Sequence, residues 1–237
     1  MAPEGIERYS RRTRRFHAAV YLLTLPLVFS GWWLLLGGEG RPSPLARALG
    51  RSDTSVHVGL GRGLAALLVL VVLTGFRGVM TFVLETARVD RGDARWLARW
   101  PAGALTGRFA RHEGHFDPGQ RLANVAIAGG LVVLTVTGIG LTLLHGGEVF
   151  SWLDRLHRAS AVVVTVFVAG HIVVAVGLLP GYRGVWRAMH LGGRVPEQTA
   201  RRLWPGWTER MLSEPAQPEP PPALAGRVPR GTRASRS

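Results

Sequence analysis

Histidine is the residue through which this chain can do chemistry. Eight occur, and four of them, His17, His57, His157 and His171, fall inside long apolar runs. An ionisable side chain is costly in such a run, so each one is a candidate functional group with a partner to be named. The chain has no cysteine, which removes disulfides, Cys-ligated zinc, iron–sulfur clusters and covalently attached c-type haem together. Neutral imidazole remains a good ligand for iron. His157 and His171 stand fourteen residues apart in one run. In an α-helix that is about 21 Å along the axis and about 40° short of four full turns, so they share one face at two depths.

Depth then pairs the four. His57 opens the second run and matches His157, which opens the fourth; His17 opens the first and matches His171. The second match leaves an offset of about 10 Å for tilt or slack boundaries to absorb. Two facing histidine pairs in an apolar bundle predict two haems b with bis-imidazole ligation, His57 and His157 at the outer haem and His17 and His171 at the inner. A flat porphyrin needs small neighbours. Gly61 and Ala161 lie four residues after His57 and His157, and Gly59-x-x-x-Gly63 thins the second helix further. Arg62 stands where it can pair with a haem propionate or snorkel to the outer interface. One intramembrane histidine alone is explained as well by a hydrogen bond to a neighbouring helix; four at two matched depths are not. His112, His115, His145 and His190 read as solvated surface.

The elements that must position these residues are four segments long enough to cross a bilayer core of about 30 Å as helices. They cover residues 16–36, 56–76, 122–144 and 156–179, and none alternates as a strand does. The expected fold is all-α, an integral membrane four-helix bundle over residues 16–180, with Pro26 kinking the first helix. A signal-peptide reading of the first segment, with Ala46-Arg47-Ala48 as cleavage site, fails on the length of the apolar run. Arginines crowd residues 1–15, the loop after the second helix and the stretch after the fourth, and are sparse in the other two loops. That asymmetry predicts both termini cytoplasmic, in a bacterial plasma membrane. The net charge of +14, from 29 basic and 15 acidic residues, is then a topology signal. No RNA- or DNA-binding motif accompanies it, and no nucleic-acid partner is expected. Within the middle loop, residues 93–100 read as a short interfacial helix capped by Asp93, with Trp96 and Trp100 at headgroup level. Residues 181–212 read as a cytoplasmic segment and 213–237 as a disordered Pro/Arg-rich tail.

Four stretches carry a family likeness. Arg15-Phe16-His17 opens the first helix, and Asp117-Pro118-Gly119-Gln120-Arg121 leads into the third. Leu156-His157 and Gly170-His171-Ile172 lie on the fourth. Gly184-Val185-Trp186-Arg187-Ala188-Met189 continues through Gly193-Arg194-Val195 to Pro205-Gly206-Trp207. From about Arg14 to Arg210 the chain resembles the gamma subunit of respiratory formate dehydrogenases, a dihaem cytochrome b. The wider group includes the cytochrome b subunits of nickel–iron hydrogenases.

The resemblance implies a part in anaerobic respiration. Electrons would arrive from an iron–sulfur (beta) subunit serving a molybdenum or tungsten catalytic (alpha) subunit, cross the outer and inner haems, and reduce menaquinone or ubiquinone near the cytoplasmic face. It also implies a quinone pocket at Asp117, Gly119 and Gln120, beside His171. This chain would do no formate chemistry itself. The chain departs from the family pattern in three ways: Asp117 stands where Asn is usual, Arg121 replaces Lys, and Leu203-Trp204 stands where the tail has His-His before Pro205. The nearest alternative is the same device serving a hydrogenase or another quinone-linked oxidoreductase. A haem-free membrane anchor or transporter is the alternative of a different class, although no inverted repeat or pair of broken helices marks a transporter.

Overall fold

The computed structural model describes residues 5–37 and 41–213, so the Pro/Arg-rich tail from 214 onward lies outside the described residues. The first half of the chain forms α1 (Arg11–Leu36), the short α2 (Pro44–Leu49), α3 (Asp53–Ala87) and α4 (Asp93–Thr106). The second half forms α5 (Pro118–Asn124), α6 (Gly130–Leu143), α7 (Gly147–Ala175), α8 (Trp186–His190), α9 (Glu197–Leu203) and α10 (Pro205–Ser213). A π-helical turn at Val125–Gly129 joins α5 and α6 into one span. Four spans are long and apolar enough to cross a membrane: α1, α3, Pro118–Leu143 and α7. Three of them start on a side-chain cap. Ser10 accepts from the Thr13 N–H, Ser52 from that of Ser55 and Asp117 from that of Gln120, each satisfying a donor the helix itself cannot.

The spans pack as a ring, α1 on α3, α3 on α6, α6 on α7 and α7 back on α1. Its outer surface is apolar: Leu36 is 75% exposed and Leu73 76%. That suits lipid, where backbone polar groups must be satisfied inside the helices. Inside, Leu64, Leu131 and Val164 form a core with Val20, Leu23 and Leu27 around it.

The helix ends differ from the apolar boundaries. α7 begins at Gly147 and stops at Ala175, and α3 runs on to Ala87. Pro26 leaves α1 helical throughout, whereas α3 breaks at Gly75, where the backbone turns to φ −133° and ψ 25°. Arg12 of α1 donates to the Thr74 carbonyl and hydroxyl at that break.

Beyond the arginine-rich end of the bundle lies a second core, here called the cap. It is built from α4, α8, α9 and α10 and from a two-stranded antiparallel ribbon, β1 (Ile6–Glu7) on β2 (Arg194–Val195). Tyr182, Val195, Leu203, Trp204 and Trp207 fill it. The Arg8 guanidinium sits 4.3 Å from the ring centres of both Trp204 and Trp207, a cation–π arrangement.

The cap corrects the interfacial-helix reading. α4 is capped by Gly92, and the Asp93 carboxylate instead accepts from Arg121 and from the Asp90 N–H. Trp96 is buried and stacks on Phe109 with ring centres 6.0 Å apart; the Trp100 indole donates to the Tyr182 hydroxyl at 2.9 Å. An amphipathic pattern does not distinguish a lipid interface from a protein partner, and these partners come from distant sequence.

Candidate functional site

The ring of spans brings the four intramembrane histidines together two by two. The ring centres of His57 and His157 are 6.3 Å apart, and those of His17 and His171 6.2 Å. Along α7, Val164 lies midway between His157 and His171, and it is fully buried. The two pairs are therefore separated by the apolar layer of Leu64, Leu131 and Val164.

The helix ends account for the offset in depth. His17 lies six residues inside the start of α1 and His171 four residues from the end of α7, a difference of about 3 Å along the axis. His157 does not open its helix: ten residues of α7 precede it. These include Glu148, Asp154 and Arg155, too polar for the apolar run to have included them.

Both rings of the first pair rest on a hydroxyl residue followed by glycine. Nδ1 of His57 is 2.9 Å from Ser30 Oγ on α1, and Nδ1 of His157 is 2.9 Å from Thr137 Oγ1 on α6. A Cβ on Gly31 would stand 3.3 Å from His57 Cε1, and one on Gly138 3.3 Å from His157 Cε1, so the missing side chains admit the rings. Nδ1 of His17 is buried without a hydrogen-bond partner among the described residues. Around it stand the rings of Tyr21 at 5.7 Å and His190 at 6.2 Å.

These distances test whether a haem iron fits. A metal–imidazole bond of about 2.0–2.1 Å on each side, with each ring centre about 1.1 Å beyond its nitrogen, sets two axial rings about 6.3 Å apart. Both pairs meet that spacing. Beside them, a Cβ on Gly59 or Gly61 would meet nothing within 4 Å, one on Gly63 would touch Leu23 at 3.4 Å, and Ala161 is half-buried. Arg62 is exposed and makes no ion pair among the described residues.

Asp117, Gly119 and Gln120 open the third span at the cap. Asp117 Oδ1 accepts from the Gln120 N–H at 2.8 Å, and a Cβ on Gly119 would press on the Trp96 ring at 3.0 Å. Burial raises the Asp117 carboxyl above the usual carboxylate range, against the lowering pull of the Gln120 N–H and of His112 and Arg8. Asn and Asp cap helices equally well, so the departure from Asn leaves this turn intact. Arg121 is buried and pairs with Asp93, a role that needs a charge held in a fixed fork.

The surface reading of the other histidines holds for His145, which is exposed, and fails for two. His112 is buried, with Nε2 donating to the Leu203 carbonyl at 2.7 Å. His115 is half-buried, contacts Arg8, and its backbone N–H donates to Glu85. Burial, with Arg8 and Arg210 nearby, pushes its imidazole down to about 3. His190 is exposed, yet its ring stands beside His17 and Tyr21. Ser30 and Thr137 went unseen in the sequence. Their signal was a hydroxyl residue before a glycine, level with a histidine on the next helix.

No curated protein shows a significant match to the chain. The family model of prokaryotic cytochrome b561 matches residues 8–192, a stretch that takes in all four spans and both histidine pairs. Histidine pairs spaced as two ligands of one iron inside a four-span bundle agree with that match, and the chain belongs to the prokaryotic cytochrome b561 family of haem b-binding membrane cytochromes.

Proposed function

We propose that this chain is the dihaem, quinone-reducing cytochrome b subunit of a formate dehydrogenase-like complex in the bacterial plasma membrane. The observation that supports it best is the pair of histidine contacts at 6.3 and 6.2 Å on either side of a dry layer. When bound, two haems b supply one-electron carriage between the partner and the quinone. The chain's own residues do the rest. His57 and His157 hold one haem, and His17 and His171 the other. Leu64, Leu131 and Val164 keep water from the space between them. The arginine-rich end, with the cap, faces the cytoplasm by the charge rule.

Quinone binds at Asp117, Gly119 and Gln120 and takes up two electrons and two protons to become quinol. Burial favours a protonated Asp117, so Oδ2 can carry a proton to that site while Oδ1 stays on the Gln120 N–H. Electrons come from an iron–sulfur beta subunit that serves a molybdenum or tungsten alpha subunit. Leu203 and Trp204, packed in the cap where the family tail has two histidines, favour a second reading, the cytochrome b subunit of a hydrogenase.

The test is a reduced-minus-oxidised spectrum with haem counted by pyridine haemochrome. Two haems b per chain are expected, and a colourless protein expressed with adequate haem refutes the reading. His57→Ala and His157→Ala should each remove one and the same haem, and His17→Ala and His171→Ala the other. Co-purification of the native complex then separates the two partners.

A further inference from the structure

We propose that Ser30 and Thr137 set a redox difference between the two haem sites, lowering the potential of the haem held by His57 and His157 below that of its neighbour. The inference rests on the haem assignment proposed above. Each hydroxyl has one hydrogen to give. Ser30 Oγ donates to the Leu27 carbonyl at 3.2 Å, and Thr137 Oγ1 to the Val133 carbonyl at 2.7 Å. With that hydrogen committed, each oxygen has lone pairs left for the imidazole nitrogen 2.9 Å away. Nδ1 must therefore carry the proton in both rings, which leaves Nε2 with the lone pair that binds iron.

The bond also changes the ligand. A hydroxyl that donates to a carbonyl is polarised and accepts more strongly. Ser30 is 1% exposed and Thr137 2%, so water does not compete for the contact. Accepting from Nδ1–H raises the basicity of a metal-bound imidazole. A more basic axial ligand favours ferric over ferrous iron, and the potential falls. The other pair lacks this support. Nδ1 of His17, buried, has no hydrogen-bond partner among the described residues. An electron placed on the His57–His157 haem therefore moves downhill to the His17–His171 haem.

The measurement is a potentiometric titration of the full-length haem-loaded protein, followed optically and by the ferric low-spin resonance spectrum. Thr137→Val keeps the shape and removes the acceptor. It should raise the midpoint of the haem that His57→Ala and His157→Ala delete, by about the tenfold lower bound of second-shell effects, or about 59 mV for one electron. Its resonance position should shift as well. Thr137→Ser should restore both, Ser30→Ala should act in the same direction, and Ser30→Thr should stay near wild type. The second haem should not move. Unchanged midpoints in Thr137→Val and Ser30→Ala, an equal shift of both haems, or a shift of the His17–His171 haem alone would each overturn the inference. A chain that binds fewer than two haems refutes the haem assignment instead, before any midpoint is read.

Discussion

In the membrane bundle the buried side chains are mostly aliphatic or hydroxylated, with Ser30, Thr137 and Val164 among the most enclosed, whereas the cap buries Trp96, Tyr182, Trp204 and Trp207. The contrast follows from solvent. In lipid, apolar contact between helices brings no hydrophobic gain, so the spans adhere by close approach and hydrogen bonds. Gly130 makes room for Val164 and Gly140 for Leu153 in this way. The cap, facing water, gains from every aromatic ring it hides. The bundle thus depends in part on what it binds, since a ligand held by the folded state alone stabilises it. The cap stands on its own residues.

Four experiments press on that contrast, from the largest effect to the smallest. Trp204→Ala should cost the cap about 3–5 kcal/mol. The loss should appear as faster hydrogen exchange in α9 and α10 with bound haem b retained, and haem loss with an intact cap would reverse the contrast. Asp93→Asn strips the buried Arg121 of its nearer carboxylate and should cost about 3 kcal/mol by denaturation followed through tryptophan fluorescence. Gly130→Ala drives a methyl into Val164 and should cost about 2 kcal/mol. It should lower the temperature at which haem is released, and Val164→Ala in the same chain should recover most of the loss.

The fourth is a pH effect. His115 titrates near 3 in the folded cap and at its ordinary 6.5 when unfolded. Between those values the unfolded state binds more protons, so the stability is whole above pH 6.5 and drains away as pH falls. About 1 kcal/mol should be lost between pH 6.5 and 5.5, and His115→Gln should flatten that slope.

The four spans and the two depths of histidine were legible in the sequence because hydropathy and the 3.6-residue period are local properties. The helix ends were not. The first turns of α7 carry Glu148, Asp154 and Arg155, and an apolar window excludes them although the backbone stays helical. Ser30 and Thr137 were hidden for another reason. Serine and threonine in membrane helices routinely bond back to their own helix, as both do here, and the partner on the next helix exists only once the spans pack. The buried His112 meets the Leu203 carbonyl 91 residues away, beyond the reach of any local pattern.

The break at Gly75 gives α3 a mechanical meaning. Below it, residues 76–87 form an arm of about 18 Å. The arm's far end touches the loop before the third span and the first turns of that span, through Phe82 against Phe116, Glu85 on the His115 N–H and Thr86 on Asn124 of α5. A swing of about 10° at the pivot moves that end by about 3 Å over such an arm. Arg12, which grips the pivot at the Thr74 carbonyl, lies five residues before His17 on α1. The His17–His171 pair and the far end of α3 thus meet at one pivot, where a small rotation at Gly75 becomes, at the end of the arm, a displacement the width of a side chain.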